Sequence, residues 1–421
     1  MIGIPSAVAA ATTYYVSPTG SDSAAGTKSA PWATMAHAQD IAKAGDTVYF
    51  RGGTYAYTHA NSDCSSQTAK VDAITLSKSG SSGSPIRYWA YPGEKPVFDF
   101  SGVSDDCRIK GFDVTASYVH LKGLGVTGVP QNNDLNHESW GIYVAGSDNT
   151  FEQLDLHDNM GPGLFIQKGG GNLVLNSDSH DNYDPYSSSG AGSNADGFGA
   201  HIAAGYSGNM FQGCRSWWNS DDGFDLINAK SSVTIDHSWS WRNGYVPETT
   251  TASGNGAGFK AGGYGGDYET GGAKHTVRFS VAFANRSAGF YTNHHTVAND
   301  YFNNTSYGNH PDFNMLGVDS NGDAVGLGKL RNNVAYTGTL TSNMSGTDSA
   351  YNTWNLGITL SDGQFQSVST SGWDAARLSD GSLPVLTKLR PAANSDLIDA
   401  GTDVGLPYNG SAPDLGAFET G

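Results

Sequence analysis

Asn219-Ser220-Asp221-Asp222-Gly223-Phe224-Asp225 is the stretch around which the rest of the chain repeats. It places three carboxylates within five residues, beside a glycine and an aromatic residue. Neighbouring residues of an extended strand point to opposite faces, but the glycine permits a bend that brings Asp221 and Asp222 together. Carboxylates held close together repel one another, and a hard cation among them relieves the repulsion. On its own the stretch also fits a polar turn with solvated acids, so the surrounding repeats must decide between the two interpretations.

Glycine followed by an apolar residue opens a short strand six times. The openings are Gly141-Ile142, Gly163-Leu164, Gly197-Phe198, Gly223-Phe224, Gly258-Phe259 and Gly289-Phe290. Their intervals of 22, 34, 26, 35 and 31 residues are too irregular for the blades of a propeller. Repeats of this length, with several short strands and no helix, are typical of a solenoid whose stacked turns share one interior.

An asparagine recurs at the bends of the same repeats. These asparagines are Asn159, Asn182, Asn219, Asn243 and Asn285. Amide side chains stacked at a bend can hydrogen-bond from one turn to the next. The repeats therefore predict an all-β fold, a parallel β-helix. Apolar residues at helical spacing predict one helix over residues 32–44, which would cover an open end of the solenoid.

Outside the repeats, runs rich in β-branched and aromatic residues predict further strands. They cover residues 13–16, 46–50, 85–90, 96–100, 118–121, 397–401 and 414–418, and a turn is predicted at residues 52–55. The extra residues of the longer repeats must leave as loops, at residues 183–195, 244–257 and roughly 264–273. All three loops border the acidic stretch, so we expect them to wall a groove. No linker interrupts the chain, which predicts a single catalytic domain over residues 13–421.

Charge and composition exclude several classes of protein. The 421 residues carry a formal net charge of −17, so a basic surface for nucleic acid is absent. No apolar run approaches the length of a membrane span. Residues 1–12 end in small residues and are interpreted as a trimmed signal peptide or an artificial leader, which predicts a secreted protein, expected to be a monomer. Cys64 and Cys107 would pair in an exported chain, whereas Cys214 is expected to be a buried free thiol.

Aligning the openings on their glycines sets charged residues of successive repeats side by side. Asp196 and Asp222 precede the glycine in consecutive repeats, and Asp225 and Lys260 stand two positions after it in the next pair. Equivalent positions on paired strands lie about 4.8 Å apart, and a residue that follows an inward apolar one points outward. Together with Asp221, the aspartates should gather at one exposed edge, with Lys260 one turn further. Four carboxylates suit Ca²⁺, while zinc would require Cys and His ligands that are not nearby.

Lys260 has two interpretations. It forms either an exposed ion pair with Asp225, worth little, or a general base, which must be neutral to act. A nearby Ca²⁺ lowers the lysine pKa and the aspartates raise it, and the sequence leaves that balance open. Surrounding glycines leave room for a polymer, namely Gly256, Gly258, Gly262 and Gly263. Candidate substrate contacts, each weighed against a structural role, are His201, Arg242, Tyr291 and His294.

Three motifs stand in the order Ala195-Asp196-Gly197-Phe198, Asn219-Ser220-Asp221-Asp222-Gly223-Phe224-Asp225 and Gly256-Ala257-Gly258-Phe259-Lys260-Ala261-Gly262-Gly263. They resemble the motifs of the family 9 polysaccharide lyases, pectate lyases on a right-handed parallel β-helix. The resemblance implies that Asp196, Asp221, Asp222 and Asp225 hold Ca²⁺ and that Lys260 is the base. It implies cleavage of (1→4)-linked galacturonan, or pectate, an acidic plant cell-wall polysaccharide. Rhamnogalacturonan or another uronate polymer remains open as the substrate.

The implied chemistry suits these residues. β-Elimination removes the proton next to a uronate carboxylate, which creates a second negative charge that Ca²⁺ stabilises while a neutral lysine accepts the proton. Two other functions remain open. A β-helical polygalacturonase would use paired acids without a metal, and a non-catalytic carbohydrate-binding β-helix would use Ca²⁺ only for stability. The product separates the three: an unsaturated uronide, a saturated one, or none.

Overall fold

The computed structural model describes residues 11–60, 70–105, 107–131, 138–263 and 272–421. Over these residues the chain coils so that each full turn adds one strand to each of three parallel sheets. The predicted parallel β-helix is therefore confirmed.

The three sheets are numbered here in the order in which the chain meets them. The first sheet comprises Thr13–Val16, Thr47–Phe50, Ile86–Ala90, Val119–Lys122, Thr150–Glu152, Leu173–Leu175, Asn209–Gln212, Val233–Asp236, Thr276–Arg278, Asp300–Phe302, Lys329–Arg331 and Asp348–Ala350. The second sheet comprises Gly53–His59, Pro96–Val103, Gly125–Thr127, Asp155–His157, Asp178–His180, Arg215–Trp217, Trp239–Trp241, Val281–Phe283, Thr305–Tyr307 and Val334–Tyr336. The third sheet comprises Lys70–Leu76, Arg108–Val114, Trp140–Val144, Leu164–Ile166, Phe198–Ala200, Phe224–Asp225, Phe259–Lys260, Phe290–Tyr291, Phe313–Asn314 and Thr341–Ser342.

A few elements lie outside these sheets. Leu316–Val318 pairs with Ala324–Gly326 in an antiparallel hairpin. The helices are Met35–Ile41 and Thr353–Leu356, with a 3₁₀ turn at Asp362–Gln364. No helix among the described residues is long and apolar enough to cross a bilayer.

The six glycine openings all lie on the third sheet, in the register predicted from their alignment. Phe198, Phe224, Phe259 and Phe290 pair in succession, and their rings stack inside the coil with centroids 4.9–5.1 Å apart. Each fully buried phenylalanine contributes about 1.5–3 kcal/mol through removal of apolar surface from water. Glycine is required before them because the next turn is too close: a Cβ at Gly223 would lie 2.6 Å from the carbonyl oxygen of Gly258.

The predicted asparagine ladder forms at the bend between the second and third sheets. Each side-chain amide donates to the amide oxygen of the next turn, from Asn159 through Asn182, Asn219, Asn243 and Asn285 to Asn309, at 2.7–3.0 Å. All six are buried, so these bonds satisfy polar groups that would otherwise be costly to bury. Asn219 directly precedes the acidic stretch, and the ladder therefore fixes where that stretch enters the third sheet.

The termini depart from the predictions. The helix predicted over residues 32–44 forms only over Met35–Ile41, because the Thr34 side chain caps its start and the backbone turns extended at Ala42. Met35, Ala38 and Ala42 still pack into the main core. The predicted turn at residues 52–55 is wrong: most of it belongs to Gly53–His59, which pairs with Pro96–Val103.

The predicted strands at residues 397–401 and 414–418 are also wrong, since both segments are turns. Their apolar residues Leu397 and Leu415 pack beside Trp239 of the second sheet, so they cover its outer surface instead of extending a sheet. Cys214 is a buried free thiol, as predicted. Cys107 is disulfide-bonded; Cys64, its predicted partner, and most of the loop predicted at residues 264–273 lie outside the described residues.

Candidate active site

The outward-facing residues of the third sheet form one row along the axis of the coil. In chain order, this outward row is Asp113, Tyr143, Phe165, Gly199, Asp225, Lys260, Tyr291 and Asn314. Paired positions lie about 4.8 Å apart. The register of Asp225 with Lys260 is the predicted one, and it sets a lysine beside a carboxylate in the middle of the row.

Carboxylates surround the Lys260 ammonium. Its Nζ lies 2.9 Å from Oδ2 of Asp225 and 3.0 Å from Oδ2 of Asp222. One oxygen from each of Asp196, Asp222 and Asp225 lies within 4.8 Å of the others. Three converging carboxylate oxygens at this spacing are the donor set that a hard cation such as Ca²⁺ prefers. The structure thus brings together three of the four predicted ligands with the predicted base.

The cluster is buried, so the predicted exposed edge is wrong. The exposed fraction is 7% for Lys260, 4% for Asp225 and 0% for Asp222. The reason is the loops at residues 183–195 and 244–257, whose backbone N–H groups reach the aspartates. Ala257 N–H donates to Oδ1 of Asp222 at 2.6 Å. The loops therefore close over the row as well as bordering it.

Asp221 stands apart from the other three aspartates. Its carboxylate accepts from the backbone N–H of Asn194, at 2.7 Å, and from that of Asn255. It thereby ties the two loops together. In contrast, Oδ2 of Asp222 is buried, and among the described residues it has no hydrogen-bond donor besides the Lys260 ammonium, with which it forms an ion pair at 3.0 Å. A buried carboxylate oxygen of this kind fits a cation ligand better than a structural acceptor.

Burial and mutual repulsion shift the pKa values of the cluster. Burial raises the pKa of Asp222 to about 7; Lys260 opposes that rise, and Asp221 and Asp225 add to it. Burial and the neighbouring carboxylates also raise the pKa of Asp196 well above its usual value. For Asp225 burial acts in the same direction, but Lys260, His201 and a backbone N–H together outweigh it and the pKa is lowered.

The aspartates also decide the charge of the lysine. Burial by itself would lower the pKa of Lys260, but the four aspartates, led by Asp222 and Asp225, together outweigh it and the pKa rises well above its usual value. The aspartates alone therefore favour the protonated lysine, which is their predicted side of the balance with Ca²⁺. Added positive charge among the aspartates would weaken that preference.

Comparisons with known proteins agree with this geometry. The family described as "Pel9A-like, right handed beta helix region" matches residues 14–333. The chain belongs to the Pel9A-like right-handed β-helix family. It is 40% identical to pectate lyase L of Dickeya chrysanthemi over 413 residues, 96% of this chain and 90% of that protein. It is 31% identical to pectate lyase PEL9 of Emericella nidulans, over 92% of this chain and 94% of that one.

Two solved structures match over nearly the whole chain. Pectate lyase Pel9A superposes with a TM-score of 0.82 at 36% identity, covering 99% of this chain and 98% of that one. A rhamnogalacturonan lyase superposes with a TM-score of 0.85 at 34% identity, covering 91% and 97%. These matches confirm the predicted resemblance and the right-handed β-helix, and they make this Pel9A-like chain an enzyme of the polysaccharide lyase class.

The four candidate substrate contacts lie at different places in this Pel9A-like fold. Nε2 of His201 lies 3.8 Å from Oδ2 of Asp225, at the edge of the cluster. Tyr291 follows Lys260 in the outward row, and its hydroxyl lies 3.4 Å from Nδ1 of His294. Arg242 is outside the row, at the bend between the second and third sheets, where its guanidinium lies 5.1 Å from the ring centroid of Trp218.

Sequence reasoning missed the part of the outward row that precedes Asp225. Tyr143 and Phe165 stand two positions after their glycines, as Asp225 and Lys260 do. The same alignment would have found them, but the prediction considered only the charged residues at this position.

A cavity of about 770 Å³ also lies elsewhere, at the bend between the first and second sheets. Its Arg215 and Arg377 are paired with Asp178, so the cluster around Lys260 is the better candidate for chemistry.

Proposed function

We propose that the protein is a Ca²⁺-dependent pectate lyase that cleaves (1→4)-linked galacturonan by β-elimination, with Lys260 as general base. The observation that carries the proposal is Nζ of Lys260 within 3.0 Å of Asp222 and Asp225, which belong to a carboxylate group spaced for a cation. The names of the relatives, pectate lyase in two species and pectate lyase Pel9A among solved structures, support it.

Asp196, Asp222 and Asp225 would hold the cation, and the buried Oδ2 of Asp222, which accepts from no backbone or neutral donor among the described residues, supports this assignment. Asp221 is retained as the fourth ligand, in addition to its bonds to the loops. When bound, Ca²⁺ supplies positive charge for the substrate carboxylate and for the charge that develops during elimination. A metal between two sets of carboxylates also accounts for how a chain of net charge −17 binds a polyanion.

Lys260 performs the proton transfer. Its neutral amine accepts the proton from C5 of the uronate, the electrons of that bond form the C4–C5 double bond, and the C4–O4 bond breaks. The departing oxygen takes a proton from water. Because the amine must be neutral, the reaction requires that the lysine lose the proton that the aspartates stabilise. The rate should therefore rise toward alkaline pH.

The remaining contacts follow from the outward row. A polymer lying along the third sheet would pass Tyr291 and His294 on one side of Lys260 and His201 on the other, which supports these three as substrate contacts. Arg242 would contact a chain only where it crosses the bend beside Trp218. In this proposal the enzyme is a secreted monomer with a single catalytic domain over residues 13–421, acting on plant cell-wall pectate.

A rhamnogalacturonan lyase is the second candidate, because a structure of that name matches at a TM-score of 0.85. A hydrolase is less well supported: paired acids would need a free acid and a free base, and Asp221 already accepts two backbone N–H groups. A Ca²⁺-stabilised binding module would leave Lys260 without a role.

The test is product analysis on pectate and on rhamnogalacturonan, with and without chelator. We expect an unsaturated uronide from pectate, absorbing in the ultraviolet, that disappears with chelator and returns with Ca²⁺. Unsaturated product from rhamnogalacturonan alone would favour the second candidate. A saturated product, or none from either polymer, would overturn the proposal.

A further inference from the structure

Aromatic side chains form the floor of the outward row on the N-terminal side of the cluster. Gly199 pairs with Asp225 and leaves its place empty of a side chain. The Phe165 ring fills that space: a Cβ at Gly199 would lie 2.6 Å from Cδ2 of Phe165. The Tyr143 ring stacks on Phe165 with centroids 5.9 Å apart and planes 23° apart. The cluster is therefore continuous with a row of aromatic rings in which Phe165 is buried and Tyr143, at the end of the row, is half-buried.

Three cations surround the end of this row of rings. Nζ of Lys110 lies 4.2 Å and Nζ of Lys70 5.8 Å from the ring centroid of Tyr143. Arg108 lies 5.4 Å from the Trp140 ring, which contacts Tyr143 edge-on at 5.0 Å. Only 23 of the 421 residues are Lys or Arg, against 40 acids, so three cations at one aromatic pair are a local concentration of a scarce residue type.

These cations are not equally available to a ligand. Lys110 is buried between Asp113, at 2.8 Å, and Asp72, at 3.1 Å. Arg108 is paired with a glutamate. Lys70 is exposed to solvent. Lys110 therefore fixes the Tyr143 ring from one side, and Lys70 is the cation placed to meet an incoming anion.

We infer that Tyr143 and Lys70 form a distal subsite for one uronate unit of the bound polysaccharide. The inference rests on the proposed function and extends it from the reacting unit to the length of chain recognised. The apolar face of a sugar ring would stack on the tyrosine, and its carboxylate would accept a charge-assisted hydrogen bond from the lysine amine. An aromatic ring beside a cation is the chemistry that recognises a uronate and not a neutral sugar.

The position of the subsite sets its role. Tyr143 lies three strands before Asp225 in the outward row, which corresponds to about 14 Å at the usual strand spacing. A substrate of two or three units bound at the cluster would not reach so far, whereas a longer chain lying along the row would. The subsite therefore selects for chain length and leaves the chemical step unchanged.

The experiment compares kcat/KM on short and long oligosaccharides of whichever uronate polymer the wild-type enzyme cleaves. Tyr143→Ala and Lys70→Gln should each lower kcat/KM on long chains about tenfold, the loss expected for one stacking or charge-assisted contact, through KM and with kcat kept. Neither should change the rate on trimers. The matched control is Tyr307→Ala, which removes a half-buried outward tyrosine of the second sheet whose ring contacts that of Tyr336 at 5.6 Å between centroids.

The outcomes separate the inference from the function on which it rests. Equal rates for wild type and both variants on long chains would overturn the subsite while leaving the lyase intact. An equal loss on trimers and on long chains would also overturn it, because the residues would then act at the reacting unit. Lys70→Gln keeps the test valid if Tyr143→Ala fails to fold, since Lys70 is exposed. A wild-type protein without eliminase activity would refute the proposed function itself.

Discussion

Replacement of Lys260 by alanine tests the base and the charge balance of the cluster together. The side chain is 7% exposed, and its ammonium lies within 3.0 Å of two aspartates. Sequence reasoning, which places Lys260 on an exposed edge, expects a stability change within about 1 kcal/mol. The structure changes that expectation, because removal of one partner of a buried ion pair leaves the other charge uncompensated, at a cost of about 3–5 kcal/mol.

In Lys260→Ala the lyase kcat and the free energy of unfolding should therefore both fall. In Lys260→Arg the kcat should fall while most of the stability is kept. Loss of a general base lowers kcat by about 10²–10⁴. Lys260→Arg keeps a positive charge beside Asp222 and Asp225, so it should lose comparable activity with most of the stability retained, because a guanidinium does not deprotonate. Added Ca²⁺ should restore part of the stability of Lys260→Ala, since it supplies the missing positive charge, without restoring the rate.

The assay follows the ultraviolet absorbance of the unsaturated product, alongside thermal melting with and without Ca²⁺. Arg215→Ala is the control: Arg215 is 3% exposed and paired with Asp178 at 2.7 Å on the second sheet. It should be destabilised while its folded fraction keeps full activity. A folded Lys260→Ala enzyme that retained more than about a tenth of the wild-type rate would refute the reasoning, as would an active Lys260→Arg, given the loss expected for a base.

Four further outcomes are expected. Asp222→Asn should weaken Ca²⁺ binding about tenfold or more; unchanged binding in calorimetric titration would remove Asp222 from the ligands. The lyase kcat/KM should rise toward alkaline pH because Lys260 must lose its proton, and a maximum near about pH 5 would instead indicate carboxylic acid catalysis. Against burial, Asp155 and a second aspartate raise the pKa of His180 to about 9, so its stabilisation is complete below pH 6.5 and lost as pH rises to about 9; His180→Gln should lower the melting temperature more at pH 6 than above pH 9, where the loss of its stacking on Trp217 remains. Asn219→Ala removes five buried hydrogen bonds, three donated by the side-chain nitrogen and two accepted by the side-chain oxygen. It should cost about 3–5 kcal/mol in denaturant unfolding, whereas a loss below about 1 kcal/mol would mean that the ladder adds little.

The β-helix was predictable from the sequence because residues that align between successive repeats are also the residues that pair on neighbouring strands. Setting Gly223 against Gly258 in the sequence therefore set Asp225 beside Lys260 in space. The asparagine ladder followed for the same reason. The prediction failed beyond the region where the glycine-led strands repeat. Residues 397–401 and 414–418 have the composition of strands, but they form turns and bends that pack on the outside of the second sheet and pair with no sheet.

The positions of the aspartates, the lysine and the asparagines relative to the glycines are enough to predict which of these residues face each other, because stacked turns place equivalent positions side by side. How deeply these residues are buried could not be predicted in this way. The loops that cover the cluster have no period, and their backbone N–H groups reach Asp221 and Asp222 from separate repeats. Burial in turn raises the pKa of Asp222, whereas the pKa of Lys260 rises against burial because the surrounding aspartates favour the charged amine.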